Sequence, residues 1–252
     1  MKFLNTRIDN LTFDEALQRI EELTDSKEGG YVVTPNVDHI VQLERNPAFR
    51  RAYEESSLVL TDGKPLIWFS HLLHCPIKEK ISGSDLFPRL CALAARRGYK
   101  MYFLGAGEGI AAKAAENLRK KYPGLQVVGI DSPEYGFEKD PARTRQIWEQ
   151  IQECRPDLLA VGLGTPKQEL FLWQNRKRLA DNGILAFGLG ASFDFEAGVV
   201  RRAPKWMQRC GLEWFYRLCR EPRRLFKRYF GDGLRILPIV WKYRKSENGE
   251  DG

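Results

Sequence analysis

Short apolar runs rich in β-branched residues alternate along the chain with longer segments in which apolar residues recur every three or four positions. The runs predict six strands, at about 31–34, 58–61, 100–104, 126–130, 158–162 and 184–189. The segments between them predict helices at about 36–55, 64–73, 84–97, 108–121, 140–154 and 167–181. Because several strands are apolar at nearly every position, helices should cover both of their faces. The pattern predicts an α/β fold with a mostly parallel, Rossmann-like sheet flanked by helices.

The alternation stops near residue 199, where arginines and aromatic side chains become frequent. Residues 201–245 hold 14 Lys and Arg against three acids, whereas residues 1–200 are nearly neutral, with 26 basic and 27 acidic residues. We therefore divide the chain into an α/β body (1–198), a basic aromatic helical appendage (199–245) and a disordered tail (246–252). The charge of the appendage favours a polyanionic partner, either an anionic membrane surface or nucleic acid.

Cysteine and histidine usage argues against a disulfide framework and a metal site. The five cysteines form no CxxC pair, and His71 and His74 lack a third ligand in a metal-binding pattern. The first residues contain no apolar core of signal-peptide length, and no run of about 18 apolar residues occurs. We therefore expect a cytoplasmic protein that binds no metal and does not span a bilayer.

Small, polar and acidic residues follow the predicted strands, at the point where each strand ends. In a parallel sheet the carboxyl ends of the strands meet at one edge, and ligands bind in the crevice beside that edge. The residues at these positions are Thr34, Asn36, Asp62, Gly105, Gly107, Asp131, Gln168, Glu169, Gly190 and Asp194. Their chemistry is typical of a nucleotide-sugar cleft, although the same residue types also form ordinary turns.

Most of these candidates have a structural alternative that the sequence leaves open. The loop Gly105-Ala106-Gly107 joins a strand to a helix, where its amides could approach a phosphate or simply form a turn. Asp131 lies where a ribose-binding acid would lie in a dinucleotide fold. Asp62 could accept a proton from a substrate hydroxyl, or it could cap a helix. Asn36 could likewise cap the next helix, and Glu169 could complement a helix dipole.

Several longer motifs resemble those of the WecG/TagA/CpsF family of bacterial glycosyltransferases. The resemblance extends over about residues 31–229 and is carried by TPNVDHI, TDG, GLGTPKQE, GLGASFDFEAG and RRAPKWMQRCGLEWFYRLCREPRRLFKRY. It implies an inverting enzyme, with no metal or other cofactor, that transfers a sugar from a UDP-sugar donor to an undecaprenyl-diphosphate-linked acceptor. It also implies a peripheral enzyme at the inner face of the cell membrane that functions in cell-wall polymer or exopolysaccharide synthesis and can form a homo-oligomer.

The resemblance also implies roles for individual residues. Asp62 matches the proposed catalytic base, and Thr34, Asn36 and Gln168 match polar residues of the substrate pocket. The arginines of the appendage that match those thought to meet the acceptor diphosphate are Arg217 and Arg224, and Arg228 belongs to the same basic motif. The step TDGKPLIW is more typical of exopolysaccharide members, so the expected donor sugar is N-acetylmannosamine, a related aminosugar or glucose.

Two other functions are compatible with parts of the sequence. An NAD(P)-dependent oxidoreductase would use the glycine loop at Gly105 together with Asp131, but it leaves the basic segment unexplained. A nucleic-acid-binding protein would use the basic segment, but it leaves the polar strand ends without a purpose. We favour the glycosyltransferase, with no nucleic-acid partner, mostly because of the motif resemblance, and also because each alternative leaves one of these features unexplained.

Overall fold

The computed structural model describes residues 1–220, 222 and 233–247 of the chain. An antiparallel hairpin of β1 (Lys2–Phe3) and β2 (Thr6–Arg7) precedes the central sheet. The strands of the central sheet are β3 (Gly30–Val33), β4 (Leu58–Val59), β5 (Lys100–Gly105), β6 (Gln126–Asp131), β7 (Leu158–Gly162) and β8 (Leu185–Gly188). They run parallel in the order β4-β3-β8-β7-β5-β6. The predicted α/β fold with a parallel sheet is confirmed.

Helices connect the strands and flank the sheet. In the body they are α1 (Phe13–Ser26), α2 (Val37–Arg45), α3 (Pro47–Glu54), α4 (Lys64–Leu72), α5 (Gly83–Arg97), α6 (Ile110–Lys121), α7 (Pro141–Cys154), α8 (Lys167–Gln174), α9 (Arg176–Asp181) and α10 (Ser192–Glu196). The appendage contributes α11 (Lys205–Arg209), α12 (Glu213–Arg220) and α13 (Ile236–Glu247). Short 3-10 turns lie at Phe137–Lys139 and Gly233–Arg235. Of the described helices, none is long and apolar enough to cross a membrane.

The structure corrects the predicted elements in three places. The helix predicted at 36–55 is two helices, because Asn46 ends α2 and also caps α3. The Asn46 side chain accepts a 3.1 Å hydrogen bond from the Phe49 amide, and a proline occupies the first position of α3. The helix predicted at 167–181 likewise divides at Asn175. Helix α1 and the hairpin were not predicted, although the capping box of Thr12 and Glu15 marks the start of α1 in the sequence.

Apolar side chains on both faces of the sheet form two layers of core. Along β3, Tyr31 and Val33 point into one layer and Val32 points into the other, as the two-residue period of a strand requires. In the second layer the rings of Phe87, Phe103 and Phe193 meet at centroid distances of 4.9–5.3 Å. The double coverage fixes the sheet, so the loops at its carboxyl edge start from rigid positions.

The described parts of the appendage contact the body near its start and through its last helix, among other places. Near residue 203, Ala203 is buried and the guanidinium of Arg202 donates a 2.8 Å hydrogen bond to Asp85 on α5. Helix α13 packs on α2, where its apolar residues Ile236, Ile239 and Val240 are buried in the core. There the Tyr243 hydroxyl also donates to the Glu44 carboxylate at 3.1 Å. The described parts of the appendage are therefore attached to the body at both ends.

Candidate active site

The sheet order brings most of the predicted site residues to one edge in two groups. Strands β4, β3, β8 and β7 are neighbours, and the residues that follow them are Asp62, Thr34, Asn36, Gly190 and Gln168. Strands β5 and β6 form the other end of the sheet and place Gly105, Gly107 and Asp131 there. Direct contacts connect neighbouring loops of the first group, since the Asp62 amide donates to the Pro35 carbonyl at 2.8 Å. The carboxyl edge of the sheet therefore has a carboxylate, Asp62, at one end and the glycine loop at the other.

Asp62 lies directly beside the start of helix α4, but it does not cap that helix. The N-cap position is Gly63, which has a φ of 99° and supplies no side-chain cap. The side chain of Asp62 is half-buried at the cleft. Its backbone is held by the hydrogen bond to Pro35, and the preceding residue, Thr61, accepts a 2.7 Å bond from the Ile81 amide. These contacts leave the carboxylate of Asp62 on a fixed backbone at the rim.

A cluster of charged side chains beside Asp62 was missed by the sequence analysis. Lys80 lies 2.7 Å from Asp85, and Arg202 of the appendage lies 2.8 Å from the other oxygen of the same carboxylate. Burial alone would lower the pKa of Lys80, but the negative charges of Asp62 and Asp85 raise it. Burial would raise the pKa of Asp85, but Lys80, Ser82 and Arg202 hold it at about 2. Lys80 therefore remains a cation next to Asp62.

The Glu169 carboxylate lies beneath the loops that follow β7, β8 and β3. Its Oε1 atom accepts hydrogen bonds from the Gln168 side chain at 2.9 Å and from the Thr165 hydroxyl at 3.3 Å. Gln168 in turn accepts a 2.9 Å bond from the Gly190 amide, which fixes the loop after β8. Glu169 is 1% exposed, so its neighbours contact it and solvent does not. This geometry makes Glu169 a support for Gln168 and Gly190.

His39 extends this hydrogen-bond chain to the loop that follows β3. Asn36 caps α2 through its side chain, and its own amide donates to His39 Nδ1 at 3.0 Å. Because Nδ1 accepts a hydrogen bond, the neutral ring carries its proton on Nε2 and donates to Thr165 Oγ1. The His39 Nε2 atom also lies 3.6 Å from Glu169 Oε1. One chain of buried polar groups thus connects Asn36 to Gln168 and Gly190.

Burial raises the pKa of Glu169 to about 7, despite the hydrogen bonds that lower it. Within the described part of the chain, its Oε2 atom has no hydrogen-bond partner, and neither has the buried hydroxyl of Tyr53. Burial also raises the pKa of Tyr53, and the charge of Glu169 adds to this effect. The carboxyl group of Glu169 therefore changes its charge near neutral pH inside a dry part of the site.

The glycine loop and Asp131 form the second half of the edge. Gly105 has a φ of 101°, and a Cβ atom there would lie 2.7 Å from the Gly162 carbonyl, so only glycine fits. The loop leads into the N-terminus of α6, where partial positive charge favours an anion. Burial raises the pKa of Asp131, although Arg143, 3.4 Å away, opposes this. This half of the edge can hold a phosphate next to a carboxylate.

The remaining predicted residues lie in three different settings. Asp194 is half-buried on α10, beyond the loop that contains Gly190. The backbone of Arg217 lies on α12 of the appendage. Arg224 and Arg228 lie outside the described residues. Among the missed residues, Lys80 lies on an irregular loop, where no periodicity marks its position.

A parallel α/β sheet with a carboxylate, a paired cation and a glycine loop at its carboxyl edge is typical of enzymes that bind an anionic substrate at that edge. The model of the Glycosyl transferase WecG/TagA/CpsF family matches residues 1–250. The chain therefore belongs to this family, and it is a glycosyltransferase.

Two curated bacterial enzymes are similar to this chain. One, from Bacillus spizizenii (strain ATCC 23059 / NRRL B-14472 / W23), is 32% identical over 200 residues, which are 79% of this chain and 75% of that protein. The other, from Bacillus subtilis (strain 168), is 31% identical with the same coverage. Both are named N-acetylglucosaminyldiphosphoundecaprenol N-acetyl-beta-D-mannosaminyltransferase. Their names describe transfer of an N-acetylmannosaminyl group to a lipid-linked acceptor.

Proposed function

We propose that this glycosyltransferase moves a sugar from UDP to an acceptor attached to undecaprenyl diphosphate, with inversion at the anomeric carbon and without a metal ion. The position of Asp62 carries the proposal, because this carboxylate follows β4 at the carboxyl edge of the sheet, where its negative charge raises the pKa of Lys80. N-acetylmannosamine is the first donor sugar to test, since both similar enzymes are named for its transfer. A related aminosugar or glucose is the next candidate.

In the proposed reaction Asp62 accepts the proton of the acceptor hydroxyl while that oxygen attacks the anomeric carbon. The bond between this carbon and the diphosphate oxygen breaks, and its electron pair leaves with UDP. A carboxylate placed in this way typically contributes a factor of about 10² to 10⁴ in rate. Attack from the face opposite the leaving group gives inversion.

The leaving diphosphate needs positive charge, and the sequence contains no DxD motif that would hold a metal ion for this purpose. Lys80 remains charged beside Asp62 and Asp85, and Arg202 is held on the same carboxylate. The N-terminus of α6 and the amides of the loop at Gly105 add fixed dipoles that favour a phosphate. In the proposal Lys80 and Arg202 stabilise the charge that develops on the leaving diphosphate, and the glycine loop, four strands from β4, attracts an anionic group at the other end of the edge.

The appendage is proposed to bring the enzyme to the inner face of the membrane, where a lipid-linked acceptor is found. Its excess of basic residues, 14 against three acids between 201 and 245, favours an anionic lipid surface, to which each base that lies near the surface contributes roughly 1 kcal/mol. Arg217, Arg224 and Arg228 are assigned to the acceptor diphosphate. Arg202 joins the appendage to Asp85, so membrane contact and the cleft are directly connected.

The test is UDP release by the purified full-length protein with a panel of UDP-sugars and a short-chain diphosphate-lipid acceptor. Asp62→Asn should lose a factor of about 10² to 10⁴ in turnover, because the amide keeps the shape but cannot accept the proton. Its UDP affinity and its melting temperature should stay close to those of the wild type. Glu22→Gln, an exposed change remote from the edge, is the matched control. Wild-type turnover of Asp62→Asn with saturating substrates would refute the assignment.

A further inference from the structure

Helix α4 presents an exposed apolar face next to the appendage. Trp68 is 54% exposed although its side chain is large, and Leu72, one turn later, is also exposed. The opposite face of the same helix packs into the core through Leu66 and Ser70, so α4 is held firmly in place. A rigid helix that exposes tryptophan and leucine on one side requires a partner or a function for that side.

The appendage adds further aromatic side chains to the face of α4. The turn at Gly211 lies directly on the helix, since a Cβ atom there would be 3.1 Å from the Trp68 ring and 3.0 Å from Lys64 Cβ. On either side of this turn, Trp206 of α11 and Phe215 of α12 are exposed as well. The turn at Gly211 thus connects Trp68 of α4 with two helices that carry exposed aromatic side chains, and the rings of Trp214 and Phe215 lie 5.8 Å apart.

The charges around the exposed face of α4 select its partner. No Asp or Glu occurs in residues 64–78 or in residues 197–212, whereas these two segments contain six Lys and Arg. Lys78 and Arg202 form ion pairs with carboxylates of other segments, and the remaining four are Lys64, Arg201, Lys205 and Arg209. A second copy of the chain seated symmetrically here would bring like basic residues face to face, which is unfavourable. An anionic bilayer supplies both an apolar interior for the aromatic side chains and negative headgroups for the bases.

We propose that α4 is part of the membrane-docking surface, and that Trp68 and Leu72 insert into the interface of an anionic bilayer beside the aromatic residues of α11 and α12. Trp68 follows Asp62 by six residues at the end of β4, so docking through α4 holds the cleft next to the headgroups. The proposal rests on the proposed function in one respect, namely that a lipid-linked acceptor must reach Asp62 from the bilayer.

The experiment is flotation of the full-length protein with vesicles of phosphatidylglycerol and phosphatidylcholine. Trp68→Ala removes exposed aromatic area of the order of 100 Å², and we expect at least about a tenfold loss of vesicle affinity. Trp68→Lys distinguishes insertion of the aromatic ring from electrostatic attraction to the headgroups, because it removes the ring and adds a positive charge. It should also bind more weakly. Tyr135→Ala is the matched control, since Tyr135 is 92% exposed and lies beyond β6 at the other end of the sheet.

Wild-type flotation of both Trp68 variants, with melting temperatures close to that of the wild type, would overturn the proposal. So would a wild-type dimer, seen by sedimentation, that Trp68→Ala dissociates while vesicle binding stays unchanged. Failure of the proposed chemistry is detected separately, because flotation requires no turnover and Asp62→Asn should float like the wild type. With a short water-soluble acceptor, Trp68→Ala should turn over within about twofold of the wild type, whereas turnover of a vesicle-embedded acceptor should fall in parallel with binding.

Discussion

Replacing Glu169 by glutamine should change how the stability of the protein depends on pH. The carboxyl group is buried, and its pKa is raised from the ordinary 4.5 to about 7 in the folded protein. The folded state therefore holds this proton more tightly than the unfolded state does. The stability from this group is fully present below pH 4.5 and is lost as the pH rises from 4.5 through 7.

The size of the effect follows from the difference between the two pKa values. At 1.36 kcal/mol for each pH unit, a rise from 4.5 to about 7 corresponds to about 3 kcal/mol of unfolding free energy. The Glu169→Gln variant is neutral at every pH and lacks this slope. The side-chain carbonyl oxygen of the new glutamine can still accept hydrogen bonds from Gln168 and Thr165. If its NH2 group is poorly placed, the resulting loss of unfolding free energy should be the same at all pH values, because the amide does not titrate.

The assay is denaturant unfolding of wild type and Glu169→Gln at pH steps between 5 and 8, with the slope of free energy against pH compared between the two. Because the range starts half a unit above the unfolded pKa, we expect the stability of the variant relative to wild type to rise by about 2 to 3 kcal/mol between pH 5 and 8. Asp85 does not interfere, because its folded pKa of about 2 affects stability only at lower pH. Glu22→Gln, a change in an exposed carboxylate, should keep the wild-type slope. Parallel curves for wild type and Glu169→Gln would refute a buried, titrating Glu169.

Three further outcomes test the charged parts of the site. Asp85→Asn should destabilise the protein by about 1–2 kcal/mol at pH 7 after allowance for partial exposure, because it removes the partner of Lys80 and Arg202; denaturant unfolding measures this. The stability that Asp85 contributes is present above pH 3.8 and is lost as the pH falls through 2. The unfolding free energies of the variant and the wild type should therefore converge in acid, and a difference that stays constant with pH would contradict the ion-pair explanation. Excess EDTA should leave UDP release unchanged, and a loss of activity that manganese or magnesium restores would contradict the metal-free mechanism. Arg217→Ala and Arg224→Ala should lower turnover even of a short soluble acceptor if these arginines contact a diphosphate, whereas wild-type turnover of that acceptor by both variants would assign them to anchoring alone.

The sequence by itself determined the strands, their parallel arrangement and the chemistry at their ends. Apolar runs such as that of β5 are local patterns, and a parallel sheet necessarily places the residues after each strand at one edge. Asp62 could therefore be placed at the edge of the cleft from its position after β4 alone. The division of the helix predicted at 36–55 was also readable, since Asn46 followed by a proline is a strong capping signal.

Only the tertiary structure decided which of these residues act together. Gln168 and Glu169 are neighbours in the sequence, yet their contacts differ. Gln168 accepts a hydrogen bond from the Gly190 amide, whereas Glu169 is buried beneath that loop and accepts from Gln168. The packing of α8 decides these contacts. Arg202 and Asp85 are 117 residues apart and meet because the appendage folds back on α5. Periodicity reports which face of an element is apolar, but it does not report which elements become neighbours. Strand order and long-range ion pairs result from packing the whole chain, so they became visible only in three dimensions.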